Sequence, residues 1–323
     1  MQRISVGVLR GGPSSEYEVS LESGATVLAE LDRSKYEPKD IFISRNGEWH
    51  VHGMPMSPER ALRHIDVVFN AMHGEYGEDG TVQRLLDTFG VPYTGSEAMA
   101  SAVAFNKQRT KDIVEKLGVR VPRGIVVEPT ADHERQVIEV FRTFGVPAMV
   151  KPLIGGSSVG MTLARDFEAL SSGFSHAFEV SPKILVEEYI KGREATAGVI
   201  DSFRGHDIYP LLPIEIILPA ASSFFDYDAK YKRDDTKYIC PGGFSSQEKS
   251  LIQQIAQKVH RVLGLRHYSQ SDFIISPRGI YFLEVNSLPS PWPEALEAIG
   301  TKLSDFFDHL ISLARTPKSA LRR

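Results

Sequence analysis

Asp272, Glu284 and Asn286 lie in the stretch SDFIISPRGIYFLEVN, where Pro277 to Gly279 mark a hairpin turn between two apolar strands. With the turn centred near Arg278, Asp272 and Glu284 each stand six residues from that centre and oppose one another, and Asn286 shares the face of Glu284. Opposed carboxylates repel, so either one holds a proton or a cation sits between them. Two carboxylates and an amide are hard oxygen donors that suit Mg2+ or Mn2+ better than zinc. On spacing alone, a different register would leave the same residues as solvated edge positions.

A second group precedes it. MVKPLIGGSSVGMT closes a strand at Lys151 and continues through Gly155, Gly156, Ser157, Ser158 and Gly160. Side-chain-free residues let a backbone approach phosphate oxygens closely and present a nest of N–H donors. The lysine precedes the glycines, which is not the Walker order, and the spacing GxGxxG is absent. Such a loop is equally consistent with a flexible turn. Taken with the acidic face downstream, it points to a nucleoside triphosphate held by a metal and a loop together.

The elements that must position these groups follow an α/β pattern. ISVGVL reads as a buried strand leading through a Gly/Ser turn into a helix, and IDVVFNAM as a second strand before the loop HGEYGEDG. The helix TVQRLLDTFG then closes at Gly90. This alternation predicts a parallel sheet wrapped by helices up to about residue 105. Beyond it come helices at FNKQRTKDIVEKLGV and HERQVIEVFRTFG, the strand PAMVKP, and a run of longer strands from KILVEEYIKGREATAGVI. ASSFFDYDAKYKRDDTKY is too polar for a core and too aromatic for a plain linker, which suggests a binding loop or lid. The helix SSQEKSLIQQIAQKVHRVLG, the acidic hairpin and a last helix complete the chain.

Bulk composition excludes several classes. A formal charge of -4 over 323 residues gives no electrostatic reason for a nucleic acid or membrane partner. One cysteine, Cys240, cannot form an internal disulfide, and the first residues form no signal-peptide pattern, so a cytoplasmic protein is expected.

Seven ordered segments, GGPSSEYEVSLESG, HGEYGEDGTVQ, PYTGS, KPLIGGSSVG, VEEYIKGRE, FDYDAKY and FLEVN, resemble the D-alanine-D-alanine ligases of the ATP-grasp superfamily. The resemblance implies an α/β (α+β) ATP-grasp fold of three α/β domains, here residues 1–105, 106–190 and 191–323, with ATP between the central and C-terminal ones. It implies an activity in which an amino-acid carboxylate attacks the γ-phosphate of ATP, and the resulting acyl phosphate is then attacked by an amine. Such enzymes are often homodimers acting on small molecules. Residue by residue, Lys107 and Lys151 match phosphate-contacting lysines, beside Gly156 and Ser158 of the loop. Glu187 matches an acid at the adenine and hinge strand, and Glu194 one near the ribose. Asp272, Glu284 and Asn286 match magnesium ligands. Glu16, Ser157 and Tyr231 match a triad around the first substrate's amine, His73 a histidine bordering that substrate, and Lys230 a lid lysine aimed at the transferred phosphate. Read without the family, Glu16 is a helix-start acid favoured by the helix dipole.

The chain departs from the pattern at one subsite. Gln270 replaces an arginine two residues before Asp272, keeping donors but losing a permanent forked charge. After Asn286, Ser290 stands for a glycine, Pro291 and Trp292 follow, and Ala295 replaces a serine that meets the second amino acid's carboxylate. These changes predict an acceptor other than a free D-amino acid. A true D-alanine-D-alanine ligase with other carboxylate contacts, and an ATP-binding protein without turnover, are the alternatives.

Overall fold

The computed structural model describes residues 3–156, 158–219 and 236–316. Its first sheet has the order β4-β3-β2-β1-β5, built from β1 (Ile4–Gly11), β2 (Tyr36–Ile43), β3 (Trp49–Val51), β4 (Met54–Met56) and β5 (Val67–Asn70). β1 runs parallel to β2 and β5, as the alternation predicts. β3 and β4 instead add an antiparallel edge, because the chain reverses at Gly47 and Gly53, both at positive φ. Both faces of this sheet are covered. Val6, Val8, Val67 and Phe69 pack against Trp292, Phe306 and Leu310, whereas Leu9, Ile41 and Val68 pack with Trp49 and Leu86. That double burial explains the near-continuous apolar runs of β1 and β5. It also joins the two ends of the chain, since the helix Leu303–Arg315 lies on the N-terminal sheet.

The second sheet is antiparallel, with the order β6-β9-β7-β8, from β6 (Gly124–Val127), β7 (Ala148–Pro152), β8 (Thr162–Ala164) and β9 (Ile184–Glu188). Ala148, Val150, Ile184 and Val186 face the helices His133–Thr143 and Phe167–Val180. Strand alternation therefore turns Met149, Lys151 and Glu187 to the opposite face.

The third sheet has the order β13-β12-β10-β14-β15, with β11 on β10, from β10 (Arg193–Phe203), β11 (His206–Pro210), β12 (Ile214–Ile217), β13 (Lys237–Ile239), β14 (Tyr268–Ser276) and β15 (Gly279–Asn286). Its apolar face packs on the helix Ser246–Val262, which opens with a capping box at Ser245 and Glu248. Among the described residues, no helix is long and apolar enough to cross a membrane.

A buried junction ties the first sheet to the third. His267, 1% exposed and at φ 67, accepts the Gly95 N–H at Nδ1 over 3.0 Å, while Arg266 pairs with Glu97 at 2.6 Å. Burial, then the charges of Arg266, His260 and His309, lower the His267 pKa to about 3, against an opposing pull from Asp201. The accepting Nδ1 requires the neutral ring. Between the unfolded pKa near 6.5 and about 3, the unfolded chain binds the proton and the folded one does not. This contribution to stability is complete above 6.5 and lost progressively below it. Urea midpoints of His267→Asn, which tolerates the positive φ, should fall below wild type at pH 7 and converge on it toward pH 5. A difference independent of pH would show that His267 does not carry the titration.

Candidate active site

The acidic hairpin reaches its geometry by a route that its turn does not foretell. At the tip Ser276 pairs with Gly279, a register that would set Asp272 opposite Leu283. A bulge between the Asp272 and Phe273 positions inserts Leu283 and restores Asp272 opposite Glu284, with Gln270 opposite Asn286. The same bulge reverses the alternation of β15. Phe282 and Val285 both enter the core, so Glu284 and Asn286 emerge on the open face beside Asp272 and Gln270.

Two cavities meet at this face. One, of about 400 Å³, lies between the second and third sheets and is lined by Met149, Lys151, Ser158, Glu187 and Glu194. The other, of about 290 Å³, is lined by Glu16, His73, Gln270, Asn286, Ser290 and Trp292. Asp272 and Glu284 line both, so a group carried between the cavities must pass the carboxylate pair.

Acids hold the lysines beside the carboxylate pair and in the first cavity. Lys107 begins the helix Lys107–Glu115, donates to the Gly155 carbonyl, and brings Nζ within 3.5 Å of Glu284 Oε2. Glu187, 1% exposed, forms an ion pair with Lys151 at 2.8 Å and another with Lys111. Lys111, 2% exposed, was missed in the sequence, although its position one turn after Lys107 places it on the same helix face. Burial, then the charge of Lys151, holds Lys111 well below the ordinary lysine pKa.

In the second cavity Glu16 is the N-cap residue of the helix Tyr17–Glu30, yet its side chain does not cap that helix. Its carboxylate lies against the glycine loop, so closely that a Cβ on Gly156 would come within 2.5 Å of Oε2. Glu16 thus stands at a helix start and reaches the glycine loop at once. His73 Nε2 lies 2.8 Å from Ser23 Oγ and 3.3 Å from Ser290 Oγ, and burial lowers its pKa despite Glu16. Glu78, also missed in the sequence, accepts the Gly74 N–H at 2.7 Å. Burial, then the charge of Glu16, raises it well above the usual carboxylate range. Its place in HGEYGEDG was the available signal.

The divergent positions divide. Gln270 Oε1 accepts the indole N–H of Trp292 at 2.6 Å, while its Nε2 donates to Asp272 Oδ1 at 2.9 Å. Trp292 is 5% exposed and meets Tyr268 edge-on, so little of its ring is left as a stacking surface. Ala295, 1% exposed, belongs to the apolar core with Phe306, and the structure does not bring it to the cavity with Gln270 and Ser290. Ser157, Lys230 and Tyr231 lie outside the described residues.

Two carboxylates, an amide and adjacent lysines fit Mg2+ with phosphate oxygens completing its shell. Among the described residues no group of three or more His, Cys, Asp and Glu gathers as a protein-only metal centre.

Comparison with known proteins identifies the family. A family model described as D-ala D-ala ligase C-terminus matches residues 113–312, and one described as D-ala D-ala ligase N-terminus matches residues 5–59 and 52–96. The D-alanine--D-alanine ligase of Syntrophobacter fumaroxidans is 34% identical over 97% of this chain and 98% of that protein. D-alanine--D-alanine ligase B of Chromobacterium violaceum is 38% identical over 88% of this chain and 87% of its own length. Among solved structures, the VanG D-Ala:D-Ser ligase from Enterococcus faecalis superimposes with a TM-score of 0.82 at 29% identity, covering 97% of this chain and 100% of that one. With both family models matched in order along one ATP-grasp fold, the chain belongs to the D-alanine-D-alanine ligase family of ATP-dependent ligases.

Proposed function

We propose that this enzyme activates the carboxylate of a small amino acid with ATP and joins it to an amine, releasing ADP and phosphate, and that the amine is not a free D-amino acid gripped by its carboxylate. The observation that carries the reading is the carboxylate pair Asp272 and Glu284 shared by two adjoining cavities. In the first cavity Lys151, together with Lys107 beside Glu284, would balance phosphate charge, with Glu187 and Glu194 beside the rest of the nucleotide. Asp272, Glu284 and Asn286 would hold Mg2+, which when bound neutralises charge on the phosphates during transfer. In the second, Glu16 would receive the first substrate's ammonium and neutral His73 would border that substrate. From the sequence, Ser157, Lys230 and Tyr231 are assigned to closing the site against water, which would hydrolyse the acyl phosphate.

The first half-reaction can be tested without knowing the acceptor. Hydroxylamine captures an acyl phosphate as a hydroxamate, so ATP, Mg2+, D-alanine and hydroxylamine should give D-alanine hydroxamate and ADP in equal amounts. Absence of Mg2+-dependent hydroxamate from D-alanine and a panel of other amino acids would favour an ATP-binding protein without turnover. The names of the curated relatives favour the second reading, a true D-alanine-D-alanine ligase, which would place the enzyme in peptidoglycan synthesis within the cytoplasm. Efficient dipeptide formation from D-alanine alone would establish it.

A further inference from the structure

Trp292 and Gln270 form a hydrogen-bonded chain that ends on the carboxylate pair. The indole N–H donates to Gln270 Oε1 at 2.6 Å, and Gln270 Nε2 donates to Asp272 Oδ1 at 2.9 Å. Both neighbours dictate this orientation of the amide. An indole N–H can only donate and an ionised carboxylate can only accept, so a flipped amide would set donor against donor at Trp292 and acceptor against acceptor at Asp272. The indole itself is held, since its ring meets Tyr268 and Phe306 at centroid distances of 6.1 Å. Gly198, paired with Gln270 across the sheet, leaves the space that the indole fills; a Cβ there would come within 2.9 Å of the ring. Gly198 is not at positive φ, so what this glycine supplies is room and not backbone freedom. On β15, Gln270 faces Asn286 and Asp272 faces Glu284. The chain therefore runs from the apolar core into the group of side chains that would hold Mg2+.

Resting on the placement of Mg2+ at Asp272 given above, we propose that Trp292 and Gln270 are positioning residues for the metal: the indole locks the amide, and the locked amide restrains the Asp272 carboxylate that receives the cation. A glutamine without such a lock can turn either face to Asp272, and one of them sets a carbonyl oxygen against the carboxylate. A carboxylate restrained before the metal arrives meets less ordering cost on binding it, and partners that orient a metal ligand in this way are worth about 10–100-fold in affinity.

The test reads the metal directly. Binding of Mn2+–ADP to the full-length enzyme is followed by the electron paramagnetic resonance of Mn2+, and calorimetry of ADP in EDTA gives the metal-free reference. Trp292→Phe keeps an aromatic ring and removes the N–H, whereas Gln270→Leu keeps Trp292 and removes both hydrogen bonds. Each should weaken Mn2+–ADP by about 10–100-fold and leave metal-free ADP binding in place. Their combination should lose no more than Gln270→Leu alone, because the two act through one chain. Adding Gln270→Arg to Trp292→Phe should restore most of the affinity, since a guanidinium carries donors on every edge and needs no lock. A role for Trp292 in packing alone gives no such rescue. If Asp272→Asn weakens Mn2+–ADP while Trp292→Phe and Gln270→Leu do not, the positioning chain is overturned and the metal placement stands. If Asp272→Asn leaves Mn2+–ADP unchanged, the metal placement falls and the chain with it. Loss in Trp292→Phe that Gln270→Arg does not relieve overturns the role of the indole N–H. Where Trp292→Phe does not fold, Gln270→Leu decides the role of the amide by the same two measurements.

Discussion

Replacing Glu187 by glutamine is expected to destabilise the protein by about 3–5 kcal/mol, the usual cost of breaking a buried ion pair from one side. The reason lies in what remains. Lys111 and Lys151 are 2% and 6% exposed, and without Glu187 they become neighbouring buried ammonium groups with their shared counter-charge gone. Lys111 already sits well below its ordinary pKa and would shed its proton first, so the loss should ease as pH rises. Adding Lys111→Met to Glu187→Gln should recover part of the stability, because one of the two stranded charges is removed. Urea unfolding reads this as a lower midpoint at unchanged slope. Hydroxamate formation should fall too, since Glu187 holds Lys151 in the first cavity, where the proposed function places ATP. An unmoved midpoint would mean that the pair contributes nothing to the fold.

Why the sequence revealed some of this and concealed the rest follows from which interactions are local. The buried strands ISVGVL and VVF were legible because both faces of their sheet are covered, which leaves a continuous apolar signature. Asp272 and Glu284 were correctly paired from a turn centre at Arg278, although the true turn lies half a residue earlier and a bulge makes up the difference. No pattern in IYFLEVN announces that bulge, since Leu283 suits either face. Its consequence is readable afterwards, because Phe282 and Val285 could not otherwise share one core. Glu16, Gly156 and His73 sit on different elements, and only in the fold does Glu16 meet the glycine loop and act on His73, so only the resemblance could group them in advance. For Trp292 the concealed part is depth: the space left by Gly198, on a strand far along the chain, lets it sink into the core and give its N–H to Gln270 while still lining the second cavity.

The largest loss of activity is expected from Asp272→Asn, a change that should leave the fold intact. Asparagine keeps the shape of the side chain and an Oδ1 for the Gln270 amide to donate to, so the contact recorded at 2.9 Å can persist. What disappears is one of the two opposed charges. Removing a single preorganised electrostatic group from a phosphoryl-transfer site costs on the order of 10²–10³-fold in rate, and hydroxamate formation should fall by that amount. Higher Mg2+ should recover part of it if the defect lies in metal affinity. Stability should move the other way. Without metal, Asp272 and Glu284 face each other across the hairpin, and relieving a like-charge cross-strand pair is worth about 0.2–1 kcal/mol. Lys107, within 3.5 Å of Glu284, offsets some of the repulsion and places the gain toward the lower end. A variant that is slightly more stable without metal and strongly impaired in acyl transfer identifies a pair kept for chemistry at the expense of the fold. Loss of stability and activity together would assign Asp272 to structure. Full activity would remove the carboxylate pair from the metal site.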